Sequence, residues 1–265
     1  MTRGLPSSQR TNWLPFSGSR LSECGATKAM SLFCFPYAGV GAAIFRDWRD
    51  QLPTSLEVLP VELPGHGSRF SEPLLRHVTE LAAAAAEALE PFCRGSYCFF
   101  GHSLGALLAF ETARILISRG CRPRHLFFSA SRAPQVSPLQ PEVHLLPSEM
   151  LHERLREWGG VPEQVLARPE LLLKLEPVVR ADLEAANSCI HTSRQDLRVP
   201  ITAFAGLKDR LAPAHCVTGW SQWTTSYFAF RQLPGNHFFL HHQRMILLNM
   251  IVNELELAAI RCSCP

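Results

Sequence analysis

The sequence has no run of apolar residues that approaches the roughly 18 needed to span a membrane, so we expect no transmembrane helix. The first twenty residues, MTRGLPSSQRTNWLPFSGSR, also lack the continuous apolar stretch of a secretory signal. We therefore expect a cytoplasmic protein that has no membrane partner.

Charge of either sign is sparse. Charged residues make up 18% of the chain, the formal net charge is only +3, and the Lys and Arg residues are scattered rather than clustered. A nucleic-acid-binding protein is expected to carry a basic patch or stripe, so the sequence does not favour a nucleic-acid partner.

The cysteines do not form a disulfide framework. There are nine, an odd number, and most of them lie inside apolar runs, which indicates a reducing compartment. Cys262 and Cys264 form a C-x-C pair that has no second pair at ligand spacing. We expect neither a metal nor another cofactor.

The chain does contain 265 residues, 46% of them hydrophobic, in which short apolar runs alternate with helical patterns. Apolar runs without polar alternation are typical of a parallel sheet that is covered on both faces. We therefore predict an α/β fold with a mostly parallel sheet and helices on both faces. The predicted strands are 31–36, 56–61, 97–100, 125–130, 201–205 and 228–233, and the main predicted helices are 44–51, 77–92, 104–119 and 244–257.

Three segments depart from this alternation. Residues 1–28 show no periodic pattern and are predicted to be a poorly ordered leader before a domain at 29–258, and residues 259–265 are a tail. Between about 133 and 191, seven prolines divide helical patterns into short pieces. We predict that this insertion forms a helical lid on top of the sheet.

A G-x-S-x-G motif, Gly101-His102-Ser103-Leu104-Gly105, lies between a predicted strand and a predicted helix. A nucleophile elbow requires this context, because a tight, strained turn lifts the serine hydroxyl above the sheet and leaves no room for side chains at the two glycines. The sequence therefore predicts Ser103 as a nucleophile. The alternative is a Gly-Ser turn that only caps a helix.

The remaining members of a catalytic triad are expected in the order Ser, acid, His. Asp209 follows the strand at 201–205, and His237 follows the strand at 228–233, so both lie at the carboxyl edge of the sheet, where catalytic groups collect. We predict these two residues as the acid and the base. The alternative candidates do not follow a strand in this way. Asp196 precedes the strand at 201–205, Glu184 belongs to the predicted lid, and three histidines lie in predicted helices, namely His215, His241 and His242.

Two backbone N–H groups are expected to stabilise an oxyanion. The first is that of Leu104, at the positive end of a helix dipole. The second comes from the loop after the first strand, where Pro36 has no N–H; we favour Tyr37, with Ala38 as the alternative.

Five motifs follow one another along the chain: FPYAG, ELPGHGSR, FFGHSLGA, PVVRADLEA and GNHFFL, at 35–39, 62–69, 99–106, 177–185 and 235–240. In these motifs the chain resembles the type II thioesterases, stand-alone hydrolases that serve fatty-acid, polyketide and nonribosomal-peptide synthases. The resemblance implies an α/β-hydrolase fold, the triad Ser103, Asp209 and His237, and a thioester on the phosphopantetheine arm of an acyl- or peptidyl-carrier protein. The chain departs from the family pattern at Val40, in a loop that usually has consecutive glycines, and at Leu104, where Met is common.

Two further expectations concern the lid. Its apolar cluster, Leu171, Leu172, Leu173, Leu175, Val178 and Val179, is expected either to line an acyl pocket or to form the core of the lid. Arg180 and Asp182 are expected to form an ion pair that anchors the lid.

We expect a monomeric enzyme that edits misacylated carriers or releases medium-chain acids. The alternatives are an esterase, lipase or acyltransferase of the same fold, and a non-catalytic binding protein.

Overall fold

The computed structural model describes residues 12–17, 30–140, 142–161, 163–191 and 195–263. The other residues of the predicted leader, and residues 264 and 265 of the predicted tail, lie outside this part. No helix in the described ranges combines the length and the apolar character that crossing a membrane requires.

Six strands form a single sheet in the order β2-β1-β3-β4-β5-β6, and all five pairings are parallel. This arrangement confirms the predicted fold class, and every strand lies within two residues of its predicted position. The strands are β1 (Met30–Phe35), β2 (Leu56–Pro60), β3 (Tyr97–His102), β4 (His125–Ser129), β5 (Ile201–Gly206) and β6 (Phe228–Leu233).

Helices cover the sheet and form the insertion. They are α1 (Val78–Leu89), α2 (Leu104–Ser118), α3 (Ser148–Trp158), α4 (Glu163–Leu166), α5 (Pro169–Ser188), α6 (Ala214–Val217), α7 (Phe239–His242) and α8 (Arg244–Ser263). The helix predicted at 44–51 is a 3-10 helix, Ala42–Gln51, and the last helix extends five residues beyond the predicted domain end at 258.

The two faces of the sheet carry separate hydrophobic cores, because successive side chains of a strand point to opposite faces. In β1, Phe33 and Phe35 belong to the core beneath α1 and α2, whereas Leu32 and Cys34 belong to the core beneath α8 and the 3-10 helix Ala42–Gln51. Both faces are therefore covered, as the apolar strands predict.

The segment predicted as a lid contains α3, α4 and α5, between β4 and β5. It has a small hydrophobic cluster of its own, formed by Val143, Leu151, Leu155 and Val179. Gly159 ends α3 in the left-handed conformation, with φ of 79°, which glycine adopts without steric cost. The segment predicted as a lid is thus helical and is held together partly by its own packing.

Within the predicted leader, residues 12–17 pack against the domain. Trp13 and Leu14 are buried, the carbonyl of Trp13 accepts a hydrogen bond from the N–H of Glu62 at 2.9 Å, and the guanidinium of Arg69 lies 4.4 Å from the Trp13 ring centroid. The prediction of a poorly ordered leader is therefore wrong for these residues. The error has a physical reason, since a single buried tryptophan creates no periodic pattern.

We expect Trp13→Ala to lower the free energy of unfolding by about 3 kcal/mol, because it removes a buried aromatic ring and its cation–π contact. Chemical denaturation measures this change. Asn12→Ala is the matched control, since Asn12 is exposed and adjacent. Equal stability of the two variants would contradict the packing of this segment.

Candidate active site

The chain turns from β3 into α2 at Ser103, in the strand–turn–helix setting that the motif predicts. Ser103 has φ 55° and ψ −117°, a conformation that costs a non-glycine residue about 1–3 kcal/mol. A Cβ atom at Gly101 would lie 2.2 Å from the carbonyl oxygen of Gly105, and one at Gly105 would lie 2.1 Å from that of Phe35. The strained serine therefore stands between two positions that exclude side chains.

Unpaired N–H groups lie beside the elbow. Among the residues that the structure describes, the backbone N–H groups of Leu104, Tyr37 and Ala38 donate to no protein acceptor, and these residues line one cavity together with Ser103. The first N–H groups of a helix, at the positive end of its dipole, favour negative charge. This applies to Leu104, the first residue of α2, whereas Tyr37 and Ala38 lie in the loop after β1. Because the N–H groups of both loop residues have no protein acceptor among the described residues, their relative contribution to an oxyanion hole stays a prediction.

The structure brings Ser103, His237 and Asp209 into one hydrogen-bonded chain. The Oγ atom of Ser103 lies 3.0 Å from Nε2 of His237, and Nδ1 of His237 lies 2.9 Å from Oδ2 and 3.1 Å from Oδ1 of Asp209. A carboxylate only accepts, so Nδ1 carries the proton and Nε2 of the neutral ring presents its lone pair to the serine hydroxyl.

Asp209 is buried and stays ionised. Burial by itself raises its pKa, but the hydrogen bond and charge of His237, together with the N–H groups of Ala212 and Leu211, outweigh this effect and lower the pKa below its ordinary value. Those two N–H groups donate to Oδ1 at 2.9 and 2.8 Å. The carboxylate is therefore held in place by the loop that follows β5.

His102, the second residue of the motif, holds the loop of His237 in place, a role that the sequence did not indicate. Its Nε2–H donates to the backbone carbonyl of His237 at 3.0 Å, and its Nδ1 accepts from the hydroxyl of Ser129 at 3.0 Å. Burial lowers the pKa of His102 well below its ordinary value, so the ring is neutral. The loop that carries His237 is thereby fixed to β3 and β4.

The rival residues lie elsewhere. Asp196 precedes β5 and binds Thr225, and Glu184 pairs with Arg76 on the outside of the lid. His215 and His242 are exposed, and the Nε2 atom of His241 lies 3.0 Å from the hydroxyl of Tyr37.

An apolar cavity of about 540 Å³ adjoins Ser103. Its volume lies within the range of ordinary small-molecule sites. Three of the six apolar lid residues named above line it, namely Leu171, Leu175 and Val179. The other three do not, and Leu173 is 63% exposed. Half of these six apolar residues of the predicted lid therefore line the cavity, and the other half do not.

Two buried carboxylates hold the loop after β1. Glu62 accepts from the N–H of Ala42 at 2.8 Å, and Asp182 of α5 accepts from the N–H of Gly39 at 2.7 Å. A Cβ atom at Gly41 would lie 2.4 Å from Oε1 of Glu62. These contacts give a physical role to the ELPGHGSR and R-A-D motifs, which the sequence marked only through family resemblance.

The predicted ion pair between Arg180 and Asp182 is wrong. Residues two apart on a helix do not face each other. Arg180 instead binds Glu176 at 2.7 Å and the carbonyl of His144 at 2.6 Å, whereas Asp182 points inward to Gly39 and His66.

In the described part of the chain, the group that most resembles a set of metal ligands is Glu111, Cys189 and His191. Arg114 already neutralises Glu111 at 2.8 Å, and its Nη1 lies 3.4 Å from Nε2 of His191. A metal ion there would meet a guanidinium cation, so we assign no metal to this group.

A model of the thioesterase domain matches residues 30–255. The chain belongs to the thioesterase family. This thioesterase is 34% identical over 229 residues to the gramicidin S biosynthesis protein GrsT of Aneurinibacillus migulanus, a match that covers 86% of this chain and 90% of GrsT.

Solved structures agree with this assignment. RedJ, a thioesterase from the prodiginine biosynthetic pathway in Streptomyces coelicolor, superimposes with a TM-score of 0.83 at 40% identity, covering 87% of this chain and 92% of RedJ. BorB, the type II thioesterase from the borrelidin biosynthetic cluster, superimposes with a TM-score of 0.78 at 34% identity, and the match covers 86% of this chain and 93% of BorB. The resemblance to type II thioesterases is confirmed, and the protein is a hydrolase that acts on thioesters.

We expect Gly105→Ala to destabilise the fold by about 3 kcal/mol or more and to abolish thioester hydrolysis, since its methyl group would overlap the Phe35 carbonyl. Thermal unfolding and a hydrolysis assay measure the two effects. Gly95→Ala is the control, because nothing lies within 4 Å of its added Cβ atom. Normal rate and stability in Gly105→Ala would contradict the close approach described here.

Proposed function

We propose that this thioesterase hydrolyses acyl thioesters on the phosphopantetheine arm of an acyl- or peptidyl-carrier protein. Ser103 acts as nucleophile, His237 as general base and Asp209 as the acid that orients it. The observation that carries this proposal is the 3.0 Å contact between Ser103 Oγ and His237 Nε2 beside an apolar cavity. GrsT, RedJ and BorB each belong to a biosynthetic system, which supports a synthase as the source of the substrate.

In the first half of the reaction, Ser103 Oγ attacks the thioester carbonyl while His237 Nε2 takes its proton. The negative oxygen of the tetrahedral intermediate is stabilised by the N–H groups of Leu104 and of Tyr37 or Ala38. When the C–S bond breaks, the imidazolium of His237 returns its proton to the sulfur. The carrier thiol leaves and an acyl-serine remains.

In the second half, a water molecule takes the position of the thiol. His237 removes a proton from the water, which attacks the acyl-serine carbonyl, and then gives that proton to Ser103 Oγ as the C–O bond breaks. The product is a free acid. Asp209 remains ionised throughout, which favours the charged form of His237 in both intermediates.

The cavity supports an acyl substrate that enters from the lid side. Phe70 and Leu139 line it and are 58% and 50% exposed, and Lys174, which also lines it, is exposed. Because these lining residues reach solvent, we place the entry of the phosphopantetheine arm beside them. The apolar residues of the lid then contact the acyl chain and favour its transfer from water.

A hydrolysis panel tests the activity. We expect kcat/KM for acyl-carrier thioesters to exceed that for matched oxyesters, because the site serves a carrier-bound thioester. The panel compares acyl-carrier protein, acyl-CoA and oxyester substrates with acetyl, butyryl, octanoyl and lauroyl groups. Preference for acetyl groups would support editing, and preference for octanoyl or longer groups would support chain release.

Ser103→Ala and Asp209→Asn test the proposed roles within the same panel. Both are expected to lower kcat by about 10⁴-fold or more, through loss of the nucleophile and of the correct His237 tautomer, respectively. Comparable rates on oxyesters and carriers would favour the esterase alternative. Near-normal hydrolysis by Ser103→Ala, with an intact fold by circular dichroism, would refute the nucleophile.

The lid side of the cavity yields a test of acyl-chain binding. We expect Leu171→Trp to lower kcat/KM for octanoyl substrates about tenfold relative to acetyl substrates, since lost room for two methylene groups forfeits about 0.8 kcal/mol each. Leu173→Trp, on the same helix but facing solvent, is the control. Equal effects of the two substitutions would argue against acyl binding at this wall.

A further inference from the structure

His66, outside the proposed triad, is held between two oxygen atoms that can only accept hydrogen bonds. It lies after β2 and is 3% exposed, with Nδ1 at 3.0 Å from the carbonyl of Pro64 and Nε2 at 2.9 Å from Oδ2 of Asp182. A neutral imidazole has one N–H and one lone pair, so either tautomer would set a lone pair against an oxygen. The doubly protonated, charged ring satisfies both oxygen atoms beside an ionised Asp182, so this geometry favours the charged state.

The charged groups around His66 favour the same state. Burial lowers its pKa, but the charge and hydrogen bond of Asp182, the Pro64 carbonyl and the charge of Glu62 outweigh burial and raise the pKa above its ordinary value of 6.5. The cation of this region, Arg69, is itself bound to Glu72 and to the carbonyl of Glu62. Two carboxylates therefore face His66, one from α5 and one from the loop after β2.

Asp182 connects this charge to the loop after β1. Its Oδ2 atom accepts both from His66 and from the N–H of Gly39 at 2.7 Å. Gly39 has φ of +81°, and a Cβ atom there would lie 2.7 Å from Cγ2 of Val179 on α5. The loop is thus pressed against the lid helix immediately after Ala38.

We propose that charged His66 is a positioning residue for the reaction: it orients Asp182, which holds Gly39 and thereby aims the preceding N–H groups of Tyr37 and Ala38 at the oxyanion. This inference rests on the proposed function and extends it. The reaction then requires two histidines in opposite states, His237 neutral and His66 charged.

The consequence is a loss of activity at alkaline pH. Because the pKa of His66 is raised in the folded protein, its charge is fully present below the ordinary value of 6.5 and disappears as the pH rises through the raised value. The pH profile of kcat is therefore expected to fall on the alkaline side, with His66 responsible for this limb.

The test compares pH profiles of kcat and KM for the wild type, His66→Gln and Asp182→Asn, with octanoyl-N-acetylcysteamine thioester as the probe. We expect His66→Gln to lose the alkaline limb and to lower kcat about tenfold to a hundredfold, with little change in KM, since a misplaced donor costs transition-state stabilisation. Asp182→Asn keeps an oxygen for Gly39 but removes the charge, so its alkaline limb should move to lower pH.

A second measurement does not depend on activity or on the folding of a variant. Nitrogen-15 NMR of histidine-labelled wild type, assigned through backbone connectivities, is expected to show His66 mainly as imidazolium at pH 6.5, the ordinary pKa of the group. A neutral ring there, or an unchanged alkaline limb in folded His66→Gln, would overturn this inference while leaving the proposed function intact. A charged His66 in a protein that hydrolyses no thioester would instead overturn the proposed function.

Discussion

The arrangement of the site depends on how closely the first turn of α2 approaches the end of β1. Gly105 has no side chain, and even a methyl group there would lie within 2.6 Å of the carbonyl oxygens of both Phe35 and Pro36. Because helix and loop are in backbone contact, Leu104, Tyr37 and Ala38 line the same cavity. A larger residue at position 105 would separate the two sources of the proposed oxyanion donors, so the proposed electrostatic stabilisation depends on a steric requirement.

The loops at this edge of the sheet are ordered by buried carboxylates rather than by strand pairing. Asp209 accepts from the loop after β5, Asp182 from the loop after β1, and Glu62 from the N–H groups of Ala42 and Ser68. A buried carboxylate is costly unless hydrogen bonds surround it, and a buried backbone N–H is costly unless it has an acceptor. Each therefore satisfies the other, and removal of one partner leaves the remaining partner buried and unsatisfied.

These facts explain how much the sequence could predict. The strands, the elbow and the order Ser103, Asp209, His237 depend on local apolar runs, on glycine sterics and on position after a strand, all of which are visible in a short window. The contacts of Asp182 with Gly39 and His66 span 143 and 116 residues, and no local pattern reveals them. The predicted pair of Arg180 with Asp182 is wrong because residues two apart on a helix face different directions, and closeness in sequence does not show this.

The three buried histidines of this region show why residue type alone could not assign their roles. Each ring donates one N–H to an oxygen that can only accept: His237 to Asp209, His102 to the carbonyl of His237, and His66 to Asp182. They differ at the other nitrogen, which meets the hydroxyl of Ser103 in His237, the hydroxyl of Ser129 in His102, and the carbonyl of Pro64 in His66. A hydroxyl can donate, so it allows a lone pair on the ring, whereas a carbonyl can only accept and favours a second proton. The atom opposite that nitrogen therefore favours either a ring that can accept a proton or a ring that carries a charge.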